Sequence, residues 1–142
     1  MNQSRSHRIL WLLEELNLPY NVKYYKRGSD MLAPAELKQV HPLGKSPVVT
    51  IESPDLSKTL VLAESGLIVE YITEHFAEGT HMIPSKWQEG KEGKVGGEQE
   101  MWLRWRYFMH YAEGTLMPLL VLGLIIGRMC SSISNHFHIP VR

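Results

Sequence analysis

Apolar positions 9, 10, 12, 13 and 16 recur at the spacing of one helical face, which predicts a helix over Arg8–Leu16. Ser4 or Ser6 is available as its N-cap, and Asn17 followed by Pro19 closes it. Tyr20–Lys26 (YNVKYYK) then alternates and is rich in tyrosine and valine, so the pattern predicts a strand. Arg27-Gly-Ser-Asp30 reads as a loop. Pro34 at a helix start, with Glu36, Leu37 and Val40 behind it, predicts a short helix that ends before Pro42. Val48–Ile51 and Thr59–Ala63 are two further strands. The turn residues Ser53-Pro-Asp55 and Ser57-Lys58 lie between them, as in an antiparallel hairpin. Ser65 then caps a helix reaching about Phe76, which buries Leu67, Ile68, Tyr71, Ile72 and His75 or Phe76.

Residues 77–97 change character. Five glycines (79, 90, 93, 96 and 97), Pro84 and several charges replace the apolar periodicity, which predicts an interdomain linker. No internal repeat or low-complexity tract stands out. From Glu98 a long helical pattern runs through Met101, Trp102, Trp105, Phe108, Met109, Ala112 and Leu116, a stripe expected to form core. Met117–Ile126 is the most lipid-like run, about half of what a spanning helix needs, so a buried core helix is expected and no transmembrane segment. Arg128–Arg142 has no period and reads as an unstructured tail. The boundaries are therefore 1–77 for a first domain, 78–97 for a linker, 98–127 for a partial all-helical domain and 128–142 for the tail.

Composition narrows the function classes. The 142 residues carry fifteen acidic and fifteen basic side chains, so no net field draws the chain to nucleic acid or to an anionic membrane. The single cysteine, Cys130, excludes an internal disulfide framework and fits a reducing compartment, hence a cytoplasmic protein. Residues 1–8 are polar and Glu14 and Glu15 interrupt the apolar run behind them, so no secretory signal is read.

Two stretches carry candidate chemistry. His41-Pro-Leu-Gly-Lys-Ser-Pro-Val48 delivers a proline to the start of a strand, where its missing N–H is not needed by the ladder. Leu62-Ala-Glu-Ser-Gly66 breaks a strand at an acid and a hydroxyl and begins a helix, whose free N–H groups can hold an anion. Side by side they suit a small zwitterionic ligand. Each residue also has a plainer role. Ser65 and Glu64 favour a helix start, Lys45 is a solvated turn lysine, and His41 is a turn or helix-end histidine.

The order of elements and three motifs resemble the glutathione S-transferase family, in its fungal and bacterial forms. The motifs are Ser4-Arg-Ser-His-Arg-Ile-Leu-Trp-Leu-Leu-Glu-Glu-Leu16, His41–Val48, and Leu62–Gly66 with Ile68, Tyr71 and Ile72 behind it. The resemblance covers residues 2–76, and the helix from 98 is similar to the first helix of the family's all-helical second domain. It implies an α/β thioredoxin-like first domain and a cis Ser46–Pro47 bond. Glutathione is the co-substrate it implies, with no metal. The backbone of Ser46 would pair with the cysteinyl part of glutathione, its side chain being incidental. Glu64 and Ser65 would hold the γ-glutamyl end, and Lys45 is placed to meet the glycine carboxylate, with His41 a weaker binding candidate. The implied partners are a small hydrophobic electrophile and, in the full-length form, a second copy of the chain.

The chemistry this family performs needs a thiolate. A free thiol has a pKa of about 8.5, so only a few per cent is ionised at neutral pH. Lowering it by about 2 units, roughly 2.7 kcal/mol, makes the thiolate dominant, and a hydroxyl donor near a helix N-terminus can do so. In the family that hydroxyl lies just before the first helix, which makes Ser4 the candidate, Ser6 the next, and Asn2 or Arg5 possible assistants. Ser4 or Ser6 acting simply as N-cap remains the other reading. Cys130 is expected to be inert, and His136 with His138 is too sparse for a metal site.

The resemblance also implies departures. The family has a central strand before the Ser4 segment and more helices after the one at 98–126, so this chain reads as truncated at both ends. The functional readings that result are conjugation of glutathione to electrophiles or peroxide reduction, a non-catalytic docking module, or an inactive truncated product.

Overall fold

The computed structural model describes residues 4–29 and 32–136, and the backbone alone over 132–136. The chain divides between Ile83 and Pro84 into two units. The first holds helix α1 (Ser6–Glu15), α2 (Leu37–Val40), strands β1 (Val48–Ile51) and β2 (Leu60–Ala63), and α3 (Ser65–Phe76).

Helix α1 ends where its sequence says it should. Asn17 takes a left-handed φ of 50°, the Leu18 N–H reaches Leu13 O and the Asn17 N–H reaches Glu14 O, both at 3.0 Å. These are the two bonds of a Schellman closure, with asparagine in the position that requires positive φ. The α1 start differs from expectation. Arg5 is the N-cap and Ser6 the first helical residue, while Ser4 Oγ accepts the Ser6 N–H at 3.3 Å.

Strands β1 and β2 pair antiparallel, with Val48 opposite Ala63 and Ile51 opposite Leu60. At the tip, Ser53 Oγ accepts the Asp55 N–H and Ser53 O accepts the Leu56 N–H, which is the turn chemistry of a serine before a proline. The strand expected at Tyr20–Lys26 is not formed. That segment has no regular structure and lies in no ladder, and the two-stranded sheet is the whole sheet among the described residues. Alternation marks a segment able to pair; a strand also needs a neighbour offering its N–H and C=O groups. What this segment does offer is Tyr20, whose hydroxyl donates to Glu14 Oε1 at 2.6 Å. That bond, reinforced by desolvation and the carboxylate charge, holds the phenol above its ordinary pKa.

The core of this unit is small. Ile9, Leu62, Ile68 and Ile72 form its buried centre, ringed by Leu12, Leu13, Leu16, Leu18, Val49, Ile51, Leu60, Val69 and Tyr71. Helix α3 packs on α1 and on both strands. Of the residues expected on the buried side of α3, Ile68 and Ile72 are buried, whereas Leu67 and Phe76 are exposed. Ile68, Ile72 and the buried Thr73 fix which face of α3 turns inward; Leu67 falls off that face, and Phe76 lies on it but is the last residue of the helix. Thr73 satisfies its hydroxyl within the helix, donating to Val69 O at 2.8 Å.

The second unit begins with residues 84–99, most of which fall in the stretch 78–97 expected as a linker. They are instead built from three successive turns. The Lys91, Lys94 and Gly97 N–H groups bond to Gln88 O, Lys91 O and Lys94 O, with Gly90, Gly93 and Gly96 at φ of 73°, 71° and 76°. Glycine stands at the third position of each turn, where positive φ is required. The stretch Glu89-Gly-Lys-Glu-Gly-Lys94 is thus a repeat of period three, which corrects the expectation of no internal repeat. Its ends are clamped together by the Trp87–Glu98 bridge, by Gln88 Nε2 on Glu98 O and by Gln99 Nε2 on Trp87 O.

Helix α4 (Glu100–Tyr111) follows, then a π-helical turn (Ala112–Leu116) and α5 (Met117–His136). Pro118 explains the widened turn. A proline in a helix lacks the N–H that would bond four residues back, at Gly114, and its ring crowds that carbonyl. Three expectations are corrected here. The helix continues to His136, so 128–136 is not an unstructured tail; Arg128–Asn135 lacks proline and glycine, and lack of amphipathic period does not stop a helix. The aromatic stripe is not core: α4 buries no residue, and Met101, Phe108 and Leu116 are exposed. Nor is the apolar run a buried helix. Glu100–Ser131 is helical over 32 residues, with none of its most apolar window buried, long and apolar enough to cross a membrane by length and composition. The apolar run by itself is too short for that, but the helix extends on both sides of it.

Candidate functional site

The site lies at the open end of the β hairpin. Because Val48 pairs with Ala63, the residues before β1 and those after β2 leave the sheet together, and Ser46–Pro47 is brought beside Glu64–Ser65. The Ser46–Pro47 bond is cis. The turn leading to it is held by His41, whose Nδ1 accepts the Leu43 N–H at 3.3 Å and whose carbonyl accepts the Gly44 N–H at 2.8 Å. Gly44 has φ of 56°, and a Cβ there would sit 2.7 Å from Lys38 Cγ, so glycine suits this position twice over. His41 thus serves the turn. Lys45 follows it, exposed.

Glu64 joins strand to helix at φ 72° and ψ 121°, outside the regions an L-residue ordinarily occupies. A residue held there costs about 1–3 kcal/mol, offset by the structure on either side. The Glu64 carbonyl accepts the Ile68 N–H at 3.0 Å, so the first turn of α3 fixes one side, and the β2 ladder ending at Ala63 fixes the other. Glu64→Gly is therefore expected to raise the stability of the first unit by about 1 kcal/mol, read as a higher urea midpoint at unchanged slope.

Ser65 does not cap α3 as expected; Glu64 is the N-cap residue, and no side chain supplies a capping bond there. Ser65 is the first helical residue, 6% exposed, and its hydroxyl has no hydrogen-bond partner among the described residues. The exposed Glu64 carboxylate stands beside it, ahead of the unsatisfied N–H groups of the helix start.

The third segment to reach the site is the start of α1. Ser6 Oγ lies 2.6 Å from Ser46 Oγ and 2.8 Å from Ser4 Oγ, so three hydroxyls stand in a row across 42 residues of chain, from Ser4 through Ser6 to Ser46. The Ser46 side chain, incidental by the family resemblance, is the link. Nothing in the sequence pairs residue 6 with residue 46; the cue available is that both are small hydroxyls in segments assigned to one pocket. Asn2 lies outside the described residues. Cys130 is exposed on α5, in the second unit. Among the described residues no three or more His, Cys, Asp or Glu side chains gather as a metal site would need; His138 lies outside them.

A hairpin flanked by helices, entered through a cis-proline turn and left through a strained acid into a helix, defines a thioredoxin-like domain, followed here by a helical region. The model of the glutathione S-transferase N-terminal domain matches residues 4–75. Glutathione S-transferase 1 of Saccharomyces cerevisiae is 35% identical over 132 residues, covering 93% of this chain and 51% of that protein. Glutathione S-transferase 3 of Schizosaccharomyces pombe is 34% identical over 120 residues, covering 84% of this chain and 42% of that one. A crystal structure of a glutathione S-transferase from Actinobacillus pleuropneumoniae shares 42% identity over 58% of this chain and 36% of its own, with a TM-score of 0.49, and adds no independent argument. The chain belongs to the glutathione S-transferase family. It spans about half the length of the curated relatives it matches.

Proposed function

We propose that this chain binds glutathione at the open end of the hairpin and activates its thiol. The observation that carries the reading is the convergence there of a cis-proline turn, a helix start at a largely buried serine whose hydroxyl is not bonded to the described residues, and a row of serines. Glutathione has a distinct chemical end for each. Ser65 and the helix N–H groups suit the γ-glutamyl carboxylate, and Glu64 suits its ammonium. The backbone of Ser46 suits the cysteinyl unit, and Lys45 the glycine carboxylate. Ser4 is the hydroxyl that donates to the sulfur.

The reaction class is nucleophilic attack by the thiolate on a small hydrophobic electrophile, or on a peroxide oxygen, in a cytoplasmic and dimeric detoxifying enzyme. Its protein chemistry is electrostatic. A hydroxyl donor and a helix dipole favour S⁻ over SH, and the turn fixes where the sulfur points.

The test is calorimetric titration of glutathione into the chain and into Ser65→Ala. Wild type is expected to bind, and the variant to bind about tenfold or more weakly, the worth of one hydrogen bond to a charged group. Equal affinity for the two would remove Ser65 from the site. Wild type without affinity would remove the reading altogether. One observation favours a second reading, a docking module without turnover: the apolar face of α4 and α5 is exposed. Glutathione binding without conjugation of a chlorinated nitrobenzene would select it.

A further inference from the structure

We infer that Ser6 and Ser46 are positioning residues for the glutathione thiolate, acting through Ser4; the inference rests on the reading above that Ser4 donates to the sulfur. Three facts about the row of hydroxyls lead there. First, its contacts are short, 2.6 Å from Ser46 Oγ to Ser6 Oγ and 2.8 Å from Ser6 Oγ to Ser4 Oγ. Second, a serine hydroxyl has one hydrogen to give and two lone pairs to receive with, so Ser6 can donate to at most one of its neighbours, and once Ser4 gives its hydrogen elsewhere the two bonds must run from Ser46 to Ser6 and from Ser6 to Ser4. Third, the Ser6 N–H also points at Ser4 Oγ, at 3.3 Å, and marks that oxygen as an acceptor.

A thiolate is an acceptor. Placed at Ser4 it selects one direction: Ser46 donates to Ser6, Ser6 donates to Ser4, and Ser4 donates to sulfur. Each hydroxyl that receives a hydrogen bond becomes a stronger donor of its own, so the row polarises toward the sulfur. Ser46 adds a geometric link, because its backbone belongs to the cis-proline turn that places the cysteinyl unit. The hydroxyl that meets the sulfur and the turn that holds the ligand are thereby fixed to one another. The step favoured is ionisation: the S–H bond breaks, the electron pair stays on sulfur and the proton leaves to water.

Neither Ser6 nor Ser46 is expected to touch the sulfur, so their loss shifts the thiol pKa more than it shifts affinity. Ser6→Ala is expected to raise the pKa of bound glutathione by about 0.5–1 unit, lowering the thiolate population about three- to tenfold at pH values below that pKa. Ser46→Ala is expected to act in the same direction and more weakly, being one bond further off. Because the bonds are in series, the double variant is expected to match Ser6→Ala alone. Ser6→Thr, which keeps the hydroxyl, restores the wild-type value.

The measurement is the thiolate ultraviolet absorbance of glutathione bound to the full chain, titrated with pH, beside calorimetric affinity and circular dichroism for each variant. Raised pKa values with affinity kept within about threefold, and rescue by threonine, are the expected result. A thiol pKa unchanged in both alanine variants, in a wild type that binds glutathione and lowers its pKa, overturns this inference and leaves the proposed function standing. Additive shifts in the double variant overturn the series arrangement. Wild type without glutathione affinity overturns both. Should Ser6→Ala fail to fold, Ser46→Ala, which lies outside any helix or strand, decides the question.

Discussion

Ser4→Ala is expected to slow glutathione conjugation at pH 7 by roughly 25-fold through thiolate population alone. The figure follows from ionisation: a thiol at a pKa of about 6.5 is some three-quarters thiolate at pH 7, and one returned to about 8.5 is some 3% thiolate. The pH profile separates this from a positioning loss. If Ser4 sets the pKa, the rate of the variant climbs with pH and meets that of wild type above about pH 9, where both thiols are ionised. A slow variant with an unshifted profile would mean that Ser4 orients the sulfur without ionising it. Unchanged rates across the range would remove Ser4 from the chemistry.

Ile68→Ala is expected to destabilise the first unit by about 3–5 kcal/mol, measured from urea unfolding at constant slope. Ile68 is 0% exposed and sits in a buried centre of four residues, with Ile72 one turn along on the same face. Neighbours as bulky as Ile9 and Leu62 cannot close the gap without leaving their own rotamers, so most of the cavity term is kept. Domains of this size are stable by only some 5–15 kcal/mol, and a core this small puts the unit near the lower end. The variant is therefore expected to be largely unfolded at physiological temperature. Leu67→Ala, one residue away and exposed, is expected to change stability by less than about 1 kcal/mol and is the control.

The parts of the molecule legible in the sequence are those whose physics is local. Asn17 and Pro19 closing α1, the turn before Pro47 and the hairpin each follow from residues within a few positions of one another. Legibility ends where a partner decides. Alternation over Tyr20–Lys26 says that the segment can pair and is silent on whether a strand stands beside it. The stripe from Met101 to Leu116 says which face of a helix favours burial, and α4 shows that nothing need cover it among the described residues. The contact of Ser6 with Ser46 spans forty residues and has no periodic or compositional signature. Residues 84–99 differ in kind. Their glycines are plain in the sequence and suggest slackness, yet glycine at every third position at positive φ is a constraint on the backbone.

That last feature bears on how this segment can vary in length. Each Glu-Gly-Lys unit closes one turn of three residues, and the clamp at Trp87, Gln88, Glu98 and Gln99 joins the two ends of the run. Adding or removing one unit keeps every remaining glycine at the third position of its turn. A change of one or two residues would instead put a side chain where the left-handed backbone admits none. Length here is quantised, in steps of three.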